Sequence, residues 1–383
     1  MAGKTILILG GGIGGQVAAN LLRRKIARDH RVILIDRKGG YVFSPSLLWL
    51  IVGKRKLDQI SRSLESLTQK GIEVVQAEVT RIDPLARAVL AGGRTFSYDY
   101  LIISLGADLA PETVPGLRTA HLFYEPSGAE RLWKTARAFS GGRVAILIAA
   151  TPFKCPAAPY EAAMLLNDYW RKLGLKKKFE ISIYTPEPLP MPVAGPVVGN
   201  AVKEMVEGRG IGFHPMMKIA SVDAKTNELL FENGRRVGYD LLIAIPPHRA
   251  PQVIRDSGLA GESGWIPVDP STLKTRYEGV YAIGDTTTIM LPVGKPLPKA
   301  GVFAHHQAEV VAKNIAAEIV GDKASEVFDG EGYCFLEMGG GRAGFAGGNF
   351  YSAPEPLIKL RKPGYHWHLG KVLFERWWLK HWF

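Results

Sequence analysis

The chain has 383 residues, 46% of them hydrophobic, with 48 lysines and arginines against 36 aspartates and glutamates and a formal charge of +12. That length holds two or three domains with cores of their own, and the absence of a basic run or RNA- or DNA-binding motif argues against nucleic acid as a partner. Two cysteines are too few for a disulfide framework, and no run of about 20 apolar residues is present to cross a bilayer.

Lys4–Leu9 is apolar and β-branched and reads as a first strand. It leads straight into glycines, so it is a strand rather than a signal peptide. Gly10, Gly12 and Gly15 fill a GxGxxG spacing, Gln16–Arg24 reads as the following helix, and Arg31–Ile35 as a second strand ending at Asp36. In this order the pattern has a mechanism: a tight turn, close backbone approach to a pyrophosphate, and a carboxylate for a ribose hydroxyl. A packing turn without a ligand is the plainer alternative. Tyr41–Leu50 leaves this unit as a mixed apolar loop. Lys70–Ala77 and Arg87–Leu90 look like strands of a small β-insertion. Tyr98–Ser104 is another buried strand, ending in Leu105, Gly106 and Ala107.

Arg143–Ile148 has the form of a buried parallel strand, and Tyr160–Leu173 that of a helix with Pro156 and Pro159 near its start. A nucleotide turn between them would carry glycines. The turn is instead Ala149 to Pro156, including Pro152, Phe153, Lys154 and Cys155. Proline donates no N–H, and bulky side chains block a phosphate. The turn has lost a nucleotide and gained a thiol. Phe179–Tyr184 is the next strand and ends in a proline-rich segment, Thr185–Pro190.

Gly279–Ile283 is a late strand ending in Gly284 and Asp285, where a carboxylate can lie beside a sugar–phosphate chain; an ordinary turn aspartate is the alternative. Leu297–Gly301 (LPKAG) precedes a helix over Val302–Ile319. Cys334 follows 179 residues after Cys155, between Tyr333 and Phe335. From Leu357 to Phe383 the tail is basic and aromatic, with Leu369, Leu373 and Trp377 on one helical stripe and Phe374, Trp378 and Trp382 on another. Tryptophan with lysine and arginine suits a bilayer interface. A docked helix, or a dimer contact within a homo-oligomer, is the alternative.

These strand ends resemble those of the two-dinucleotide-domain flavoproteins. FKCPAAPYEAA around Cys155, YCFLEMGGGRAGF around Cys334 and the tail HWHLGKVLFERWWLKHWF are similar to segments of the sulfide:quinone oxidoreductases, and of the flavin subunit of flavocytochrome c sulfide dehydrogenase. The resemblance implies an α/β fold of two Rossmann-like domains: an FAD domain over 1–108 and 272–325, a second domain over 109–271, and a C-terminal segment over 326–383. It places FAD on Gly10, Gly12, Gly15 and Asp36, on Gly106 and Ala107, and on Gly284 and Asp285. Lys299 and Gly301 lie where the following helix points at the flavin pyrimidine, and Lys371 matches a lysine near flavin and quinone. The related dehydrogenase attaches its flavin through a cysteine in the loop corresponding to Tyr41–Leu48; this chain has none there, so the resemblance implies noncovalent FAD.

The implied activity is oxidation of sulfide to sulfur or polysulfide, with electrons passed to a membrane quinone. Sulfide anion attacks a Cys155–Cys334 bridge and leaves a persulfide on one cysteine and a thiolate on the other. Cys334 is the thiol nearer the flavin in this resemblance. Glu161 is a base for the sulfide proton, or simply a first-turn glutamate; His121 and His214 are further proton-transfer candidates. Many quinone-linked relatives carry a third cysteine early in the second domain, and His121–Glu125 has none. Alternatives are electron delivery to a haem protein, or NADH:quinone oxidoreduction. The expected location is the surface of a membrane, with the cytoplasmic face preferred.

Overall fold

A computed structural model describes residues 3–175 and 177–383. The chain begins with β1 (Thr5–Leu9), α1 (Ile13–Lys25) and β2 (Arg31–Asp36). A one-turn helix α2 (Leu47–Leu50) precedes β3 (Glu73–Gln76) and β4 (Tyr100–Ile103). A second unit follows: α3 (Pro126–Ala138), β5 (Gly142–Ile148), α4 (Ala158–Lys172), β6 (Phe179–Tyr184), α5 (Pro196–Glu207), β7 (Gly212–His214), β8 (Leu241–Ile245) and the short α6 (Gln252–Asp256). The chain then returns to the first unit with β9 (Val280–Ala282) and α7 (Gly301–Ile319). It ends in β10 (Glu331–Glu337), β11 (Ala343–Asn349), β12 (Leu357–Gly364) and α8 (Tyr365–His381).

The first sheet is parallel throughout, in the order β9–β4–β1–β2–β3. The second is parallel in the order β8–β5–β6–β7. Helices cover these sheets, which is why their central strands are apolar without alternation. Each unit carries a three-stranded antiparallel insertion after its third strand, at Val79–Ser97 and Ile219–Gly238. The two units therefore repeat one plan. β10, β11 and β12 form a separate antiparallel sheet.

Two sequence expectations are corrected. The segment over 70–77 is not part of a β-insertion: Gly71, with φ +84°, turns the chain and Glu73–Gln76 joins the parallel sheet beside β2. Tyr41–Leu50 is not simply a loop, because Leu47–Leu50 is a helical turn buried in the core of the second unit. Four bulky apolar residues in succession make that turn a plug between the units. In the tail, β12 pairs with β11, and the helix that carries both stripes starts at Tyr365.

Candidate active site

The first glycine loop is built around close contacts. A Cβ on Gly15 would lie 1.8 Å from the Gly10 carbonyl oxygen, and Gly10 has φ +96°. Around Gly12 and Gly106, in contrast, a Cβ would meet nothing within 4 Å. Asp36 closes the loop by accepting from the Gly11 N–H at 2.7 Å. Gly284 donates its N–H to Gln307 at 2.7 Å, which ties the β9 turn to α7. Thr286 Oγ1 is buried there without a partner. Lys299 donates to the carbonyls of Asp285 and Thr287, at 2.6 and 3.0 Å, and lies 3.4 Å from the Trp265 ring centroid. Burial lowers its pKa to about 8. Its ammonium thus braces the Asp285 turn. Burial raises the Asp285 carboxyl pKa, against the pull of Lys154 and Lys299. An open glycine cradle, a helix N-terminus and an orphaned hydroxyl fit a dinucleotide.

The corresponding turn of the second unit is closed. Cys155 N–H donates to the Lys299 carbonyl at 2.7 Å, and Ala158 N–H to the Cys155 carbonyl at 2.9 Å. Glu161 N–H is held by the Ala157 carbonyl at 3.0 Å. Groups that would meet a phosphate are already bonded within the protein. Cys155 itself has φ +53°, a left-handed conformation that a side chain adopts at a cost of about 1–3 kcal/mol. The bond to Lys299 and a 3.4 Å contact from Tyr124 Oη to its carbonyl hold it there.

Cys155 and Cys334 line one cavity of about 200 Å³, which also reaches Glu161, Lys371, Gly301 and Phe374. Both thiols are free and half-buried. Helix α7 begins at this cavity with Gly301, whose Cβ would strike Ile13 at 2.5 Å. Glu161 and Lys371 form a buried ion pair, Nζ to Oε1 2.8 Å, and the same oxygen accepts the Glu337 N–H at 2.8 Å. Burial raises the Glu161 pKa, with Lys371 opposing. Burial works against the Lys371 ammonium, but Glu161 and Glu337 outweigh it and raise its pKa. Burial, with Glu161 adding to it and Lys371 opposing, pushes the Cys155 thiol up to about 12. Burial, Cys155 and Glu161 push Cys334 well above the usual thiol range. Free thiols here are held protonated, so thiolate chemistry needs a base beside them.

Two sequence candidates lie elsewhere. His121 bridges to Ile243 and faces Thr135 at 3.5 Å; His214 stacks on Tyr184 at 4.7 Å. Neither lines the cavity. Sequence reasoning missed Tyr124, Glu337 and His368, since a tyrosine, a strand-end glutamate and a helix histidine carry no local signal. The α8 stripes separate cleanly. Trp378 and Trp382 are buried, while Leu369, Leu373 and Trp377 are 56, 54 and 46% exposed.

Two dinucleotide-type units, one open and one closed by a thiol turn, define a redox protein of the flavoprotein class. The family model of the pyridine nucleotide-disulphide oxidoreductases matches residues 4–308, and the chain belongs to that family. Mitochondrial sulfide:quinone oxidoreductase of Mus musculus is 26% identical over 370 residues, covering 91% of this chain and 79% of that protein. Sulfide-quinone reductase of Aquifex aeolicus is 25% identical, covering 98% and 90%. The crystal structure of the Aquifex aeolicus sulfide:quinone oxidoreductase superposes with a TM-score of 0.89 at 24% identity, covering 98% of this chain and 90% of that one. A type II NADH:quinone oxidoreductase of Staphylococcus saprophyticus is 22% identical over 84% of each chain.

Proposed function

We propose that the chain uses noncovalent FAD to oxidise sulfide to sulfur or polysulfide and passes the electrons to a membrane quinone. The observation that carries this reading is that Cys155 and Cys334 share one largely apolar cavity with the Glu161–Lys371 pair, at the start of α7. Gly10, Gly12, Gly15, Asp36, Gly106, Ala107, Gly284 and Asp285 would hold the FAD, with Lys299 and Gly301 shaping the turn and helix end beside it. Bound FAD supplies a two-electron acceptor that quinone can reoxidise.

The protein's own part is sulfur and proton handling. When the two cysteines are bridged, sulfide anion attacks one sulfur, the S–S bond breaks, and a persulfide and a thiolate result. Lys371 stabilises the thiolate by charge. Glu161 takes the sulfide proton, a role that its raised pKa suits. The exposed Leu369, Leu373 and Trp377, with Arg376 and Lys380, would seat α8 on a lipid surface, where quinones dissolve.

Sulfide-dependent reduction of a soluble quinone by the purified flavoprotein tests the reading. Cys155→Ser and Cys334→Ser each abolish it; unchanged rates in both remove the thiol mechanism.

A further inference from the structure

One acid in the thiol cavity stands without a counter-charge. Glu161 is paired with Lys371, and His305, in the first turns of α7, lies 3.3 Å from Glu309. Glu187 also lines the cavity, and its Oε2 is buried without a hydrogen-bond partner. It follows β6 in the proline-rich segment, where the half-buried Met191, Pro192 and Val193 form the rim of the cavity on the second unit.

The main chain of Glu187 is fixed on both sides. Its N–H donates to Thr185 Oγ1 at 3.2 Å, and its carbonyl accepts the Met216 N–H at 3.3 Å. Few groups act on the side chain. Tyr160 of α4 feels its charge, and the Tyr160 hydroxyl is likewise buried without a partner. Lys295 pulls on the carboxylate from an exposed position. Burial raises the Glu187 pKa to about 7, with Thr185 and Lys295 opposing. A buried carboxyl oxygen left unpartnered costs stability rather than adding to it. With Glu161 and Lys371 summing to zero, Glu187 sets the sign of the charge met by a molecule crossing this rim. Above neutral pH that charge is negative, in an apolar setting where charges act strongly. Anions are turned away there and neutral molecules are not.

Dissolved sulfide near neutral pH is a mixture of H₂S and HS⁻. We propose that Glu187 is an anion filter at the rim of the thiol cavity, so that sulfide enters as neutral H₂S and becomes HS⁻ only inside. There one S–H bond breaks and its proton passes to the Glu161 carboxylate (H₂S + RCOO⁻ → HS⁻ + RCOOH), which leaves HS⁻ to attack the cysteine bridge. The net reaction with quinone, H₂S + Q → S⁰ + QH₂, then neither takes up nor releases a proton. Glu187 touches no reacting atom; it selects the form of the substrate. This inference rests on the sulfide reading above.

The test compares the FAD-loaded full chain as wild type, Glu187→Gln, Glu187→Ala and Glu187→Asp, with thermal midpoints confirming that each is folded. The reduced thiols are alkylated with neutral iodoacetamide and with anionic iodoacetate. Both reagents attack the same thiolate, so the ratio of their rates cancels thiol protonation and reports the charge met on the way in. In Glu187→Gln the iodoacetate-to-iodoacetamide ratio at alkaline pH rises about tenfold over wild type, whereas Glu187→Asp, which keeps the charge, keeps the wild-type ratio. Where Glu187→Gln does not fold, Glu187→Ala carries the comparison. In wild type the ratio falls from pH 6 to 9 as Glu187 ionises, and the neutral variants lose that fall. Flavin bleaching by sulfide, followed by stopped flow over the same range, slows above neutral pH in wild type as H₂S gives way to HS⁻, and slows less in Glu187→Gln. Equal alkylation ratios in wild type and the neutral variants, or parallel bleaching profiles, overturn the filter. If wild-type flavin is not bleached by sulfide, the sulfide reading fails separately, and the alkylation ratios alone decide whether Glu187 excludes anions.

Discussion

Glu161 and Lys371 act on the thiols with opposite signs. Glu161 raises the pKa of both cysteines and Lys371 lowers it. Glu161→Gln therefore moves the onset of iodoacetamide alkylation to lower pH, and Lys371→Met moves it to higher pH. Shifts in one common direction would contradict this electrostatic picture. Each change also leaves a buried partner alone, which costs about 3–5 kcal/mol in unfolding experiments. His248 offers a test on stability. Burial lowers its pKa to about 3 from 6.5, so the unfolded chain binds a proton there that the folded chain does not. Its contribution to stability is complete above pH 6.5 and falls as the pH drops toward 3. His248→Gln should flatten that part of a plot of urea midpoint against pH. The two cysteines, Glu161 and Lys371 were legible in the sequence, because a thiol and prolines replace a phosphate loop and because flanking segments match a known family. Glu337 and His368 were not, since their meaning lies in a pairing across a strand and a helix, 31 residues apart.

Among elements, α7 and the central parallel strands follow from apolar runs and glycine turns that have few other uses. The one-turn helix at Leu47–Leu50 was hidden because four residues give no helical period, and its burial comes from the other unit. β3 was legible as a strand but its place was not, because a half-exposed edge strand does not show which sheet it joins. For α8 both stripes were visible, but which of them faces the body is decided by packing. Trp378, 2% exposed, packs near Phe43 with ring centroids 6.0 Å apart. Trp378→Ala should cost about 3–5 kcal/mol, read from chemical unfolding. A Leu369→Ser, Leu373→Ser, Trp377→Ser triple variant should keep its unfolding midpoint and lose flotation with anionic lipid vesicles. Equal flotation of variant and parent would remove the lipid role of that stripe.

At the scale of the molecule, the chain holds one plan twice and keeps the nucleotide loop once. In the turn from Ala149 to Pro156 the N–H groups of Ala149 and Cys155 are bonded to the Ile245 and Lys299 carbonyls, and Pro152 and Pro156 have none to offer. NADH should therefore leave the flavin absorbance unchanged at concentrations where sulfide bleaches it, as stopped-flow mixing with each reductant will record. Rapid bleaching by NADH would show that a second nucleotide enters by another route. The repeat was legible from strand ends alone, whereas the cavity was not: its walls come from both units and the tail, and no local stretch encodes their meeting.

Helix α8 is wet and greasy on one flank and carries Lys371 on the other, within 17 residues. A rigid rod of that kind cannot shift at the outside without moving the ammonium inside. Under the lipid docking proposed for α8, contact with a bilayer would also reach the charge felt by the sulfur atoms, so that the rate of the first half-reaction should respond to vesicles even when quinone is left out.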